Sequence, residues 1–138
     1  MATAYNPLSK VRIDPEVRGV LKKNKICTVG AYLEKRSRFQ SLSKFAEYLQ
    51  IPLDNLSIAD GRIELSSIYG VGQGFLELLV IANITSASLL SKQKPSVLHQ
   101  LIVEINTSKR VCRRSPNIEE VNTWINATKT LQSLPLEA

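Results

Sequence analysis

Apolar residues recur along this chain at helical rather than strand spacing, and helix start signals precede most of the runs. Asp14-Pro15-Glu16 supplies an N-cap, a proline whose φ suits the first helical position, and an acid against the positive helix pole. Val17, Val20 and Leu21 follow on one face, with an end predicted near Asn24. Thr28 caps a second short helix carrying Val29, Tyr32 and Leu33, after which Glu34 to Arg38 read as a charged connection closed by Phe39. Ser41 opens a stripe of Leu42, Phe45, Ala46 and Leu49, and Pro52 opens another of Leu53, Leu56, Ala59 and Ile63.

The spacing of these last two helices is that of a helix-turn-helix, but Asp54 and Asp60, expected to face outward with Asn55 and Ser57, would repel a DNA major groove. The pair therefore reads as scaffold. Further on, Gly70-Val71-Gly72 is a tight turn with Val71 inward and the glycines outward, running into a helix with Phe75, Leu78, Leu79 and Ala82 on one face. Free amides at such a helix start can hold phosphate; alternatively the glycines only let two helices approach closely. Thr85 or Ser86 caps a short helix with Leu89 and Leu90, and Pro95 starts a longer one with Val97, Leu98, Leu101, Ile102 and Ile105. Lys109-Arg110-Val111-Cys112-Arg113-Arg114 is a basic connector that either holds a phosphate or neutralises the end of the preceding helix. Asn117, with Glu120 three residues on, starts a last helix that buries Ile118, Val121, Trp124, Ile125 and Leu131. Leu79, Leu101 and Trp124 are the expected centre of the core.

A shift of 58 positions sets Ile13 on Val71, Val17 on Phe75, Leu21 on Leu79 and Ile26 on Ile84, so two related helical halves are implied. In the first, Arg12-Ile13-Asp14 stands where the second has Gly70-Val71-Gly72.

Length changes the picture little: 138 residues suffice for one domain with its own core. The expectation is a lead-in at 1–10, expected to be loose, and a helical domain at 11–134, with halves at 11–66 and 67–134. Charge changes it more. Residues 1–50 carry ten lysines and arginines against four acids, whereas 51–138 balance. A surplus confined to one half suits a polyanion or an acidic protein surface. Cys27 and Cys112 read as small core residues rather than a metal or redox pair, and a lone His99 leaves a triad or metal cluster nothing to recruit. Asp54, Asp60 and Glu64 could share a helix face, but no phosphate loop accompanies them. An enzyme is not expected, nor a metal, a cofactor or a small-molecule substrate. With no signal-peptide core and no apolar run of membrane length, a cytoplasmic protein without a membrane partner is expected.

The pattern Ile68-x-Gly70-Val71-Gly72, Leu78-Leu79, Ile84-Thr85, Leu98-x-x-Leu101, Glu104-Ile105-Asn106, Arg113-Arg114, Pro116, Val121-x-x-Trp124-Ile125 and Lys129 resembles a mainly prokaryotic family of tandem helix-hairpin-helix proteins, catalogued as domain of unknown function four-three-three-two. The resemblance spans roughly residues 8 to 131. It implies an all-α fold of two helix-hairpin-helix halves, about eight short helices around one shared core, the first hairpin degenerate, with no established reaction. Similar hairpins in repair proteins, ligases and polymerases grip the DNA backbone without reading sequence. Two departures stand out: Gln73, Gly74 and Phe75 occupy positions where DNA-binding members place a cation, and Asp14 in the first hairpin would oppose a phosphate. A two-hairpin clamp on a duplex is therefore not expected. The expected function is sequence-independent nucleic-acid binding, with Gly70, Val71, Gly72 and Gln73 at the turn and attraction from Lys22, Lys23, Lys25, Lys35, Arg36, Arg38, Lys109, Arg110, Arg113 and Arg114. The alternative is an adaptor or assembly factor docking on an acidic protein partner, the hairpin being purely structural.

Overall fold

The structure, a computed structural model, describes residues 6–131. Among these it is all-helical: a 3-10 turn at Leu8–Lys10 is followed by α1 (Pro15–Lys23), α2 (Val29–Arg36), α3 (Leu42–Leu49), α4 (Leu53–Ser66), α5 (Gln73–Ile81), α6 (Ala87–Ser91), α7 (Pro95–Lys109) and α8 (Ile118–Thr128). The polar punctuation acts where the sequence places it. Thr28, Ser41 and Ser86 each accept a hydrogen bond from the backbone N–H three residues on, and Asn117 and Glu120 form a reciprocal capping box. Residues 6–10, expected as part of a loose lead-in, are docked, because Leu8 N–H donates to the Cys27 carbonyl and Leu8 is buried. The rest of that lead-in, and the last three residues expected in the domain, lie outside the described residues.

The two halves repeat in backbone detail. α1 and α5 are each nine residues long; both are followed by a residue with left-handed φ, Lys25 at 61° and Asn83 at 66°. Ile26 N–H then reaches back to the Leu21 carbonyl at 2.9 Å, as Ile84 N–H does to that of Leu79 at 2.8 Å. These pairs all differ by the same 58 positions.

The interior, expected as one shared core, is parted along α4 into two apolar clusters. Leu21, Tyr32, Phe45, Leu56 and Ile63 belong to one; Leu65, Leu79, Leu98, Ile102 and Trp124 belong to the other. The fourteen-residue α4 feeds both. Among the contacts that dock the halves through it, two reach backbone groups of the second half. Gly61 lies directly under the Thr85 carbonyl, where a Cβ would overlap the oxygen. Glu64, 2% exposed, accepts from Arg36 Nη1 at 3.0 Å through one oxygen and from Ala87 N–H at 3.0 Å through the other. One carboxylate thus joins α2 of the first half to the start of α6 in the second.

Several expectations are corrected. α2 continues through Arg36 instead of ending before a charged connection, because Arg36 turns inward. Asp60 is likewise buried, bonded to Arg36 and, at 2.6 Å, to the Tyr32 hydroxyl. Leu101 is not central: α7 buries Leu98 and Ile102, which leaves Val97 and Leu101 on its outer face. Leu89 and Ile118 are also substantially exposed, and Cys27 sits in the exposed α1–α2 turn rather than the core.

Candidate nucleic-acid interface

The turn before α5 divides its glycines by role. Gly70 has φ +91°, and a Cβ there would stand 3.3 Å from Trp124 Nε1, so both backbone and packing call for glycine. Val71 is buried. Gly72 has an ordinary φ of −79° and open space around it. It caps α5 without a side-chain bond, and α5 also lacks an acid in its first turn. Its counterpart Asp14 instead accepts from Glu16 N–H at 2.8 Å, so α1 carries its own carboxylate where α5 carries none.

The basic connector is folded onto this open helix start. Asn106, buried near the end of α7, accepts from Cys112 N–H at 2.8 Å and donates to Ser115 Oγ at 3.1 Å, so one amide ties both ends of the loop. Cys112 then lies against Gly74, whose missing side chain makes the room; a Cβ there would sit 2.6 Å from the sulfur. Burial pushes the Cys112 thiol up, and Arg114 opposes this in part. Arg114 packs over the Phe75 ring, 5.2 Å from its centroid, and Phe75 in turn tilts against Trp124.

The connector's cations have different duties. Arg114 is bidentate to Glu120 at 2.7 and 3.0 Å, and that bond, with the Asn117 N–H, lowers the Glu120 carboxyl to about 2. Lys109, Arg110 and Arg113 are exposed and pair with no carboxylate among the described residues. Arg110 and Arg113 line an open groove of about 680 Å³ with Asn106, Thr107, Val111, Cys112 and Ser115.

The other expected cations lie in the first half. Lys22 and Lys23 occupy the last turn of α1 and Lys25 the turn after it, all exposed. Lys35 stands over the Tyr48 ring, and Arg38 pairs with Glu34. Arg36 leaves the interface altogether: 5% exposed, it is held by Asp60 and Glu64, and this pairing raises its pKa against the opposing effect of burial. Trp124, Cys112 and Arg114 pack on Gly70, Gly74 and Phe75, so the connector reaches the turn through Cys112 and Arg114. Gln73 is exposed there and reaches Glu77 at 3.3 Å.

The sequence pattern assigns no role at this site to Gly74 or Asn106. A polar amide at the end of the Leu98–Ile102 stripe was the available signal for Asn106. Nothing local distinguished Gly74, since its reason is a cysteine 38 positions away. His99 meets the Pro116 carbonyl at 3.0 Å, and no group of three His, Cys, Asp or Glu side chains among the described residues is placed to hold a metal. None of the described helices is long and apolar enough to cross a membrane.

The family model that matches the chain, over residues 12–131, is described as Domain of unknown function (DUF4332). No curated protein and no solved structure matches it.

Proposed function

The chain belongs to the DUF4332 family, and from that premise we propose a non-enzymatic module that binds the nucleic-acid backbone without reading its sequence. One observation carries the reading: three exposed cations without acidic partners among the described residues, Lys109 at the end of α7 and Arg110 and Arg113 on the loop after it, adjoin a segment that Asn106 ties down and Cys112 docks on an uncapped helix start. Phosphate oxygens suit both components, since helix-start amides donate to them directly and arginines attract them through charge. The turn would serve as a single working helix-hairpin-helix element, with the cation missing after Gly72 supplied from the connector. Asp60 and Glu64 are committed to Arg36, which fits a binding role better than a catalytic one.

The test is an anisotropy titration of labelled random-sequence duplex and single strands at several salt concentrations. Binding should weaken steeply with salt. Arg110→Gln with Arg113→Gln should weaken it alike for all sequences and flatten the log–log slope by about one for each phosphate no longer neutralised. Absence of binding at low salt would overturn the proposal. It would favour the adaptor reading, for which Lys22, Lys23 and Lys25 form the exposed basic group, in the half whose helix start is already filled by Asp14.

A further inference from the structure

We infer that the strand held at this site is single, with one of its bases stacked on Tyr69. The inference rests on the nucleic-acid reading above and adds to it the form of the ligand. Among the described residues Tyr69 is the most exposed large apolar side chain, at 75%. It makes no ring contact and no side-chain hydrogen bond there, whereas Tyr48, the other exposed tyrosine among the described residues, packs against Phe39 and Lys35.

The backbone that carries the ring is held on both sides. Ile68 and Val71 are buried, Val71 N–H bonds back to the Ile68 carbonyl at 3.1 Å, and Gly70 is pressed on Trp124. Little backbone freedom is left to lose when a ligand meets the ring. From Gly70 a continuous run of contacts, Trp124 to Phe75 to Arg114, leads to the basic connector. A cationic loop that tracks phosphates beside an aromatic face is the combination that holds unpaired strands, because every base has a π-face and a duplex keeps its own faces stacked inside. DNA and RNA single strands share this chemistry.

The experiment titrates the full chain with labelled oligothymidylate, oligouridylate, an abasic strand of equal length and a duplex, at one low salt concentration. Oligothymidylate or oligouridylate should bind about five- to a hundredfold more tightly than the abasic strand. Tyr69→Ala should remove that preference while leaving abasic-strand affinity and the thermal midpoint unchanged, and Tyr69→Phe should keep it. The ratio of the two oligonucleotide affinities tells which sugar is favoured. If the wild type binds abasic strand or duplex as well as oligothymidylate and oligouridylate, or if Tyr69→Ala keeps the preference, the stacking inference is overturned and backbone binding stands. If nothing binds, both fall.

Discussion

The starts of α1 and α5 occupy equivalent places in the two halves and differ in what caps them. At α1, Asp14 brings a carboxylate to its own helix end; at α5, Gly72 brings nothing, and the basic connector lies alongside. The same backbone device is thus closed in one half and open in the other. Repetition of a fold preserves geometry, while the residue at the cap decides whether a helix start carries its own carboxylate. Arg36 of the first half is consumed in holding α4, while Arg110 and Arg113 of the second stay exposed.

Breaking the joint between the halves should have the largest effect. Arg36→Ala strands two buried carboxylates, and equilibrium unfolding should show a loss on the order of 3–5 kcal/mol. Burial holds the Asp60 carboxyl above its ordinary value, so its ionised form carries a cost that is relieved as pH falls through the raised pKa. The Arg36→Ala deficit should therefore shrink in mild acid; a deficit that grows there would contradict this. Leu21→Ala and Leu79→Ala, equivalent and both fully buried, should each cost about 2–5 kcal/mol, whereas Leu101→Ala should stay within about 1. Parallel denaturant midpoints check that ranking.

Smaller changes sharpen the contrast further. Gly61→Ala drives a methyl into the Thr85 carbonyl and should cost roughly 1–3 kcal/mol, read from the thermal midpoint. The Arg114–Glu120 pair is largely solvent-screened and contributes less. Its stabilisation is present above the ordinary Glu120 value of 4.5 and is lost as pH falls toward about 2, and Glu120→Gln should abolish that part of the acid dependence. The smallest stability effect should come from exchanging the two caps. Gly72→Asp has open space and should shift stability by only a few tenths of a kcal/mol, yet weaken strand binding several-fold by filling the open helix end. Asp14→Gly, with a similarly small stability change, should leave binding as it is. Equal binding by wild type and Gly72→Asp would show that the α5 start takes no part.

Most of the helices were legible because their causes are local. Asp14, Thr28, Ser41 and Asn117 act within three residues of themselves, and the apolar stripes need only their own spacing. Side-chain direction on polar faces was not legible. Asp60 and Arg36 read as solvated charges because their buried partners lie far along the chain, each bonding the other across 24 positions. α7 misled in the opposite sense: five apolar positions suggested a broad buried face, but α8 and α5 cover only the Leu98–Ile102 side. At the site, the glycine turn and the basic connector were each visible as motifs. Their contact was not, since it depends on a thiol finding the gap left by Gly74.

The shared carboxylate of Glu64 also bears on how the chain is made. During synthesis α4 emerges before α6, so one oxygen of Glu64 can meet Arg36 while the amide of Ala87 has yet to emerge. Leu65, fully buried in the finished protein, meanwhile waits for the cluster that α5, α7 and α8 will supply. Once the chain has emerged as far as Ser66, the first half can form with its last turn unsealed, and the second half then meets a surface already in place.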